Sequence, residues 1–111
     1  MQEKLEDLYQ VLESVLPGQV FYGTKSSINQ SADYIIYQEI SNRGKTYADD
    51  KVQAREATIQ INVVTEKKNL KLEERFELYL GLSNYEFQML SEFVNEDGST
   101  NRVYEIKLEV F

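Results

Sequence analysis

The chain has no cysteine, no histidine and no tryptophan, and a single proline in 111 residues. Without cysteine there is no disulfide framework, no thiol nucleophile and no thiolate metal ligand. Without histidine the commonest metal ligand and the commonest general base are both missing. Ser-His-Asp and Cys-His catalysis are therefore excluded by composition. Long apolar runs are lacking too: the most compact one covers only Tyr34 to Tyr37, against the ~20 residues a membrane-spanning helix needs. The first residues, Met1-Gln2-Glu3-Lys4-Leu5-Glu6-Asp7, are acidic and amphipathic, where a secretory signal is basic and then apolar. The expectation is synthesis in the cytoplasm and no membrane partner.

Positive charge is also in short supply. Twelve Lys and Arg stand against 19 Asp and Glu, a formal net charge of −7 with a pI near 4.6. Such a field repels nucleic-acid backbones and anionic lipid and keeps the protein dispersed, so sequence-specific DNA binding is not expected.

What is present is the composition of a folding chain, 41% apolar and 12% aromatic, with eight tyrosines. Its length suits one compact domain with one modest core. From Gln2 to Leu16, the residues Leu5, Leu8, Leu12, Val15 and Leu16 recur at three- and four-residue spacing, with Glu3, Glu6, Asp7 and Glu13 on the other side. This predicts an amphipathic helix, ended by Pro17-Gly18. Val20-Phe21-Tyr22 reads as a short strand or extended segment, and Gly23 to Asp33 as a polar loop. Tyr34 to Ile40, rich in β-branched and aromatic residues, predicts a strand. Ser41 to Arg55 has few apolar residues and reads as a loop longer than the ~4–6 residues usual for a connection. Ala57, Ile59, Ile61 and Val63 alternate with Thr58, Gln60 and Asn62, the period of a strand with one buried face. Leu72, Phe76, Tyr79 and Leu80 share one face of a second helix, Leu70 to Leu82, with Glu73, Glu74 and Glu77 assigned to its solvent side. Phe87 to Phe93, a turn at Asn95 to Ser99, and Tyr104 to Val110 predict a closing hairpin.

The expected fold class is thus α+β: an antiparallel sheet of about four strands with two helices packed on one face. Its other face, carrying Gln60, Asn62, Glu105, Lys107 and Glu109, is left to solvent or to a partner.

Motifs for chemistry are weak. Gly18-Gln19-Val20-Phe21-Tyr22-Gly23-Thr24-Lys25-Ser26 approaches a phosphate-binding loop, but Thr24 breaks the register and the segment follows a helix where the motif requires a strand. Asp49-Asp50, Glu73-Glu74 and Glu96-Asp97 are paired carboxylates of the kind that hold a hard cation, yet neighbours in sequence make no site by themselves. Glu96-Asp97-Gly98 is turn chemistry. Asn29-Gln30-Ser31 has the form of a glycosylation acceptor, irrelevant without secretion. Lys25 beside Ser26 or Ser27 would need a pocket that nothing in the sequence predicts. No catalytic residue, metal ligand or cofactor is expected. The candidate functional residues are instead a contact set in the long loop, Arg43, Lys45, Tyr47, Asp49, Asp50, Lys51 and Arg55, whose mixed charges suit fixing the register of a protein contact. Tyr47 is its aromatic anchor, since tyrosine gives contact area at low entropy cost. Tyr34, Tyr37, Tyr79 and Tyr104 are weighed for the same role, with core packing the better reading for Tyr79 and Tyr104.

The amphipathic N-terminal helix, Tyr34-Ile35-Ile36-Tyr37-Gln38-Glu39-Ile40-Ser41, Ala57-Thr58-Ile59-Gln60-Ile61-Asn62-Val63-Val64, the second helix and the closing Tyr104-Glu105-Ile106-Lys107-Leu108-Glu109-Val110-Phe111 together resemble the minor tail proteins of siphophages and Gram-positive prophages of the tail-terminator, or tail-completion, type. The resemblance covers nearly the whole chain and rests on layout, with no single diagnostic motif. It implies a structural protein that assembles with itself into a hexameric ring, caps the finished tail tube and offers a docking surface to the head-tail connector. Genomic DNA would pass through its centre without specific contacts, and a loop like Ser41 to Arg55 would be ordered on assembly. It further implies a place in the host cytoplasm during assembly and then at the head-proximal end of the virion tail. The alternatives are a head-completion or connector protein and, from a different class, a small cytosolic adaptor or ligand-binding domain that uses the open sheet face.

Overall fold

A computed structural model describes residues 2–24, 33–46 and 52–110, with side chains described for fewer of them at the edges of these stretches. The elements run α1 (Gln2–Val15), β1 (Val20–Tyr22), β2 (Tyr34–Thr46), β3 (Val52–Thr65), α2 (Leu70–Leu82), β4 (Phe87–Val94) and β5 (Thr100–Val110). The strands form one sheet in the order β1-β2-β3-β5-β4. All neighbours pair antiparallel except β1 and β2, which are parallel. The class is α+β as expected, but the sheet is mixed and has five strands. The extra strand is Val20–Tyr22. Gln19 O accepts from Ile35 N at 2.9 Å, Gly23 N donates to Tyr37 O at 3.0 Å, and Tyr22 Oη accepts from Glu39 N at 3.3 Å. Three residues have too little pattern to reveal a partner, so only the fold shows this pairing.

Each element follows from its residues. Leu8, Leu12 and Val15 put the apolar stripe of α1 onto the sheet, and all are at most 1% exposed. Gly18, at φ 77°, turns the chain after Pro17, and its N–H donates to the Glu13 carboxylate at 2.6 Å. Asn69 caps α2 by accepting from Leu72 N at 3.0 Å, which satisfies one of the orphan amides of the first turn. Leu72, Phe76 and Leu80 face inward. Both helices pack on the face made by Ile35 and Tyr37 (β2), Ala57, Ile59, Ile61 and Val63 (β3) and Tyr104, Ile106 and Leu108 (β5). Register explains this sharing, because Ile35 opposes Val63, Tyr37 opposes Ile61, and Tyr104 opposes Ile61 in turn. Phe76 meets Tyr104 at 4.5 Å between ring centres.

The largest departure from the sequence reading concerns Ser41 to Arg55. The structure carries β2 on to Thr46 and starts β3 at Val52, with Arg43 opposite Glu56 and Lys45 opposite Ala54. Most of the expected loop is therefore strand. A bulge between Glu39 and Ser41 separates the helix-covered part of β2 from this extension. The stretch has no period-two apolar alternation in its sequence, Ser-Asn-Arg-Gly-Lys-Thr on β2 and Val-Gln-Ala-Arg on β3, which is why it read as loop.

Candidate functional site

Of the seven loop residues singled out from sequence, Tyr47, Asp49, Asp50 and Lys51 lie outside the described residues. Arg43, Lys45 and Arg55 are strand residues, with Arg43 opposite Glu56, Lys45 opposite Ala54 and Arg55 between Gly44 and Val110. The hairpin thus brings these three basic positions onto one arm. Its β2 edge pairs with β1 only over Ile35 to Tyr37, so from Ile40 onward no strand among the described residues pairs with it.

The opposite edge of the sheet is β4, and here the sequence reading missed a feature. Phe87 packs on the core, but a bulge between Met89 and Ser91 breaks the expected alternation and the rest of the strand is exposed. Met89, Leu90, Phe93 and Val94 are 42%, 44%, 48% and 68% exposed. An apolar edge strand with an unpaired side is a template for another strand. The signal was present in the sequence as Met-Leu beside Phe-Val, but only the strand order reveals that this strand is an edge.

Beneath α2 the structure assembles an ion-pair cluster. Arg102 lies on the helix-covered face of β5, opposite Val63. Its Nη1 donates to Glu92 Oε1 at 3.0 Å and its Nε to Tyr104 Oη at 2.6 Å, while Glu73 and Glu77 carboxylates stand 3.6 Å away. Lys68 Nζ bridges Glu73 at 2.8 Å and Glu92 at 2.5 Å. Tyr104 Oη donates to Glu77 at 3.1 Å, and the guanidinium carbon sits 5.4 Å from the Tyr104 ring centre. Glu73, assigned to solvent from sequence, is in fact 5% exposed: the helical wheel put it off the apolar stripe, but Arg102 on the sheet draws it in. Burial pushes the Tyr104 phenol up to about 12 despite the guanidinium beside it. The bond from Lys68, then that from Arg102, holds Glu92 below its ordinary value.

Three carboxylates from α2 and β4 do converge here, as a metal site would require, but their centre is occupied by the Arg102 guanidinium and the Lys68 ammonium. The cluster pins α2 and β4 to β5, and each of its three carboxylates already has a cation within 3.6 Å. Among the described residues no group of three or more carboxylates is arranged to hold a metal ion.

Surface depressions are shallow. One of about 540 Å³ lies where Lys4, Asp7, Tyr85, Lys107 and Glu109 meet, and it mixes both charge signs. Burial, then the nearby Asp7 carboxylate, raises the Tyr85 phenol. The near-phosphate-loop segment is helix, turn and strand: Gly18 follows α1, and Val20–Tyr22 is β1. That order reverses the strand, turn and helix that aim amides at phosphate. The outer sheet face is only partly solvated: Gln60, Asn62 and Glu105 are half-buried, and Val64 and Val103 on the same face are buried. Gln60 Nε2 donates to Asn62 Oδ1 at 3.1 Å, and Lys107 and Glu109 are exposed. Tyr37, weighed as an interface anchor, is core at 7% exposure, edge-on to Tyr22 at 5.1 Å. Tyr104 is core as well and Tyr79 packs partly buried against it. No helix among the described residues is long and apolar enough to cross a membrane. The chain matches no protein-family model and no curated protein.

Proposed function

We propose that this chain is a structural, self-assembling protein of the tail-terminator type, forming a hexameric ring that caps a completed phage tail tube and docks the head connector. The observation that carries the reading is the β2–β3 hairpin. On a molecule measuring 52 × 28 × 24 Å, β3 pairs with β5 as far as Arg55 and Val110, and the hairpin runs past them as a two-stranded tip, with Lys45 opposite Ala54 and Thr46 opposite Val52. Its cost in backbone entropy is offset when it packs on another chain. The outer face, with Lys107 and Glu109 exposed, and the sheet edges left unpaired among the described residues are further surfaces for neighbours. A net charge of −7 suits a ring through which DNA slides without sticking.

Catalysis has no part in this reading: the ion-pair cluster of Lys68, Glu73, Glu77, Glu92 and Arg102 ties α2, β4 and β5 together. The test is molar mass by light scattering over a concentration series, with and without purified tail tubes, followed by electron microscopy of tube ends. Hexameric rings, or density capping one end of each tube, are expected. A chain that stays monomeric and leaves every tube end bare overturns the proposal.

A further inference from the structure

Strand direction alternates across the sheet from β2 through β3 and β5 to β4. Copies placed side by side without inversion therefore bring β4 of one against β2 of the next in antiparallel sense, with the helices of both on the same side. The two edges also match in length: β4 has eight residues, and the part of β2 beyond β1 and the Tyr22–Glu39 contact is Ile40 to Thr46.

Charge selects this pairing over a two-fold one. Between Phe76 and Asn101 the chain has Glu77, Glu86, Glu92, Glu96 and Asp97 and no lysine or arginine, whereas Ser41 to Arg55 has Arg43, Lys45, Lys51 and Arg55 against Asp49 and Asp50. Glu92, the one charged residue within β4, is held by Lys68 and Arg102. Joining β4 to β4 antiparallel would still bring Glu86 at one end of each strand towards Glu96 and Asp97 at the far end of its partner, which like-charge repulsion disfavours. Joining β4 to the arm sets acidic against basic.

We infer that subunits join edge to edge, β4 of one copy pairing antiparallel in the next with the Ile40–Thr46 edge of β2, which no strand among the described residues occupies. This rests on the ring reading above and gives that ring its contact. The required offset is consistent with closure. Ser91 of β4 is level, through Val103, with Asn62 of β3, while Arg43 in the middle of the free edge is level with Glu56. That is a shift of about six residues, roughly 20 Å at ~3.3 Å per residue. Four strands at ~4.8 Å span roughly 19 Å, so the strands would incline at about 45°, close to the ~35–45° of closed barrels. β1 occupies the β2 edge just below and acts as a stop that fixes the register. The bulge in β4 and the apolar Met89, Leu90, Phe93 and Val94 would be covered in the joint. A head-to-tail contact of this kind closes into a ring when the rotation per subunit allows it, and otherwise runs on as a filament.

The native absence of cysteine makes a direct test clean. Asn42→Cys on the β2 edge and Ser91→Cys on β4, both at exposed positions, are made singly and together and treated with a short bis-maleimide at the highest attainable concentration, with circular dichroism to verify folding. Cross-linked dimers from the mixture of the two single variants, with a ladder of multimers from the double variant, are expected. Dimers from Ser91→Cys alone would replace the inference with a two-fold β4 joint, and no product in the mixture would overturn it as well. Rings or capped tubes without cross-links would sink edge pairing and leave the ring reading standing. Ladders without rings or capping would do the reverse.

Discussion

At the residue scale, Arg102 and Tyr104 hold the second helix down through charge and a buried hydroxyl. Replacing Arg102 with Met leaves Glu73 with Lys68 alone and Glu77 with the phenol alone, and is expected to cost about 2 kcal/mol, below the ~3–5 kcal/mol of a fully orphaned buried charge. Tyr104→Phe keeps the ring against Phe76 and removes two hydrogen bonds, for an expected loss of about 1 kcal/mol; urea unfolding of both variants measures this. pH supplies an independent check. Tyr104 titrates near 10 when unfolded and at about 12 when folded, so its contribution to stability is whole below pH 10 and is lost as pH climbs from about 10 to about 12. Denaturant midpoints and tyrosinate absorbance should move together over that window, and the midpoint should flatten there in Tyr104→Phe. Glu92 has the opposite sign: its folded value is lowered, so its contribution is present above the ordinary carboxylate range and fades as pH falls through the folded value. Because Glu92 is about a third exposed, solvent screens the effect and the acid limb should be shallow. None of this clustering was legible in the sequence, where Lys68, Glu73, Glu92 and Arg102 are separated by a helix, two strands and a turn. Only the register that sets Arg102 opposite Val63 and Glu92 brings them together.

At the scale of elements, the helices were the most readable parts, because an apolar stripe at three- and four-residue spacing and a capping residue are local signals. The expected span Leu70 to Leu82 is the observed one, and α1 ends at Val15, one residue short of the expected Leu16. Asn69→Ala removes the acceptor for Leu72 N and should lower stability by about 1 kcal/mol, with Asn69→Asp recovering most of it; thermal melts of the three proteins decide. In the β4–β5 turn, Gly98 at φ 88° has nothing within 4 Å of where a Cβ would stand. Gly98→Ala should therefore cost about 1 kcal/mol from backbone conformation alone. β1 is too short to announce its partner, and the far half of β2 has no apolar alternation in sequence.

At the scale of the whole molecule, the hairpin arm is separable from the core. Replacing residues 45–54 with Asn-Gly joins Gly44 to Arg55, which already face each other, by a two-residue turn of the favoured kind. Circular dichroism and the melting curve should stay close to those of the parent chain, while light scattering should show self-association lost. An unfolded product would make the arm part of the folding core. If acidic and basic edges meet between subunits, raising salt should weaken assembly without changing the fold, because exposed charges are screened within ~8–10 Å at moderate ionic strength.

The sequence by itself determined the class of fold, both helices, the central alternating strand and the closing hairpin, because each is written in side-chain periodicity over neighbouring residues. It also removed thiol and imidazole chemistry outright. The strand order was decided only by the tertiary structure, and with it the parallel β1, the Arg102 cluster and the exposure of β4. Those features depend on which strands lie side by side, and period-two alternation records that a strand has a buried face without recording which neighbour shares it.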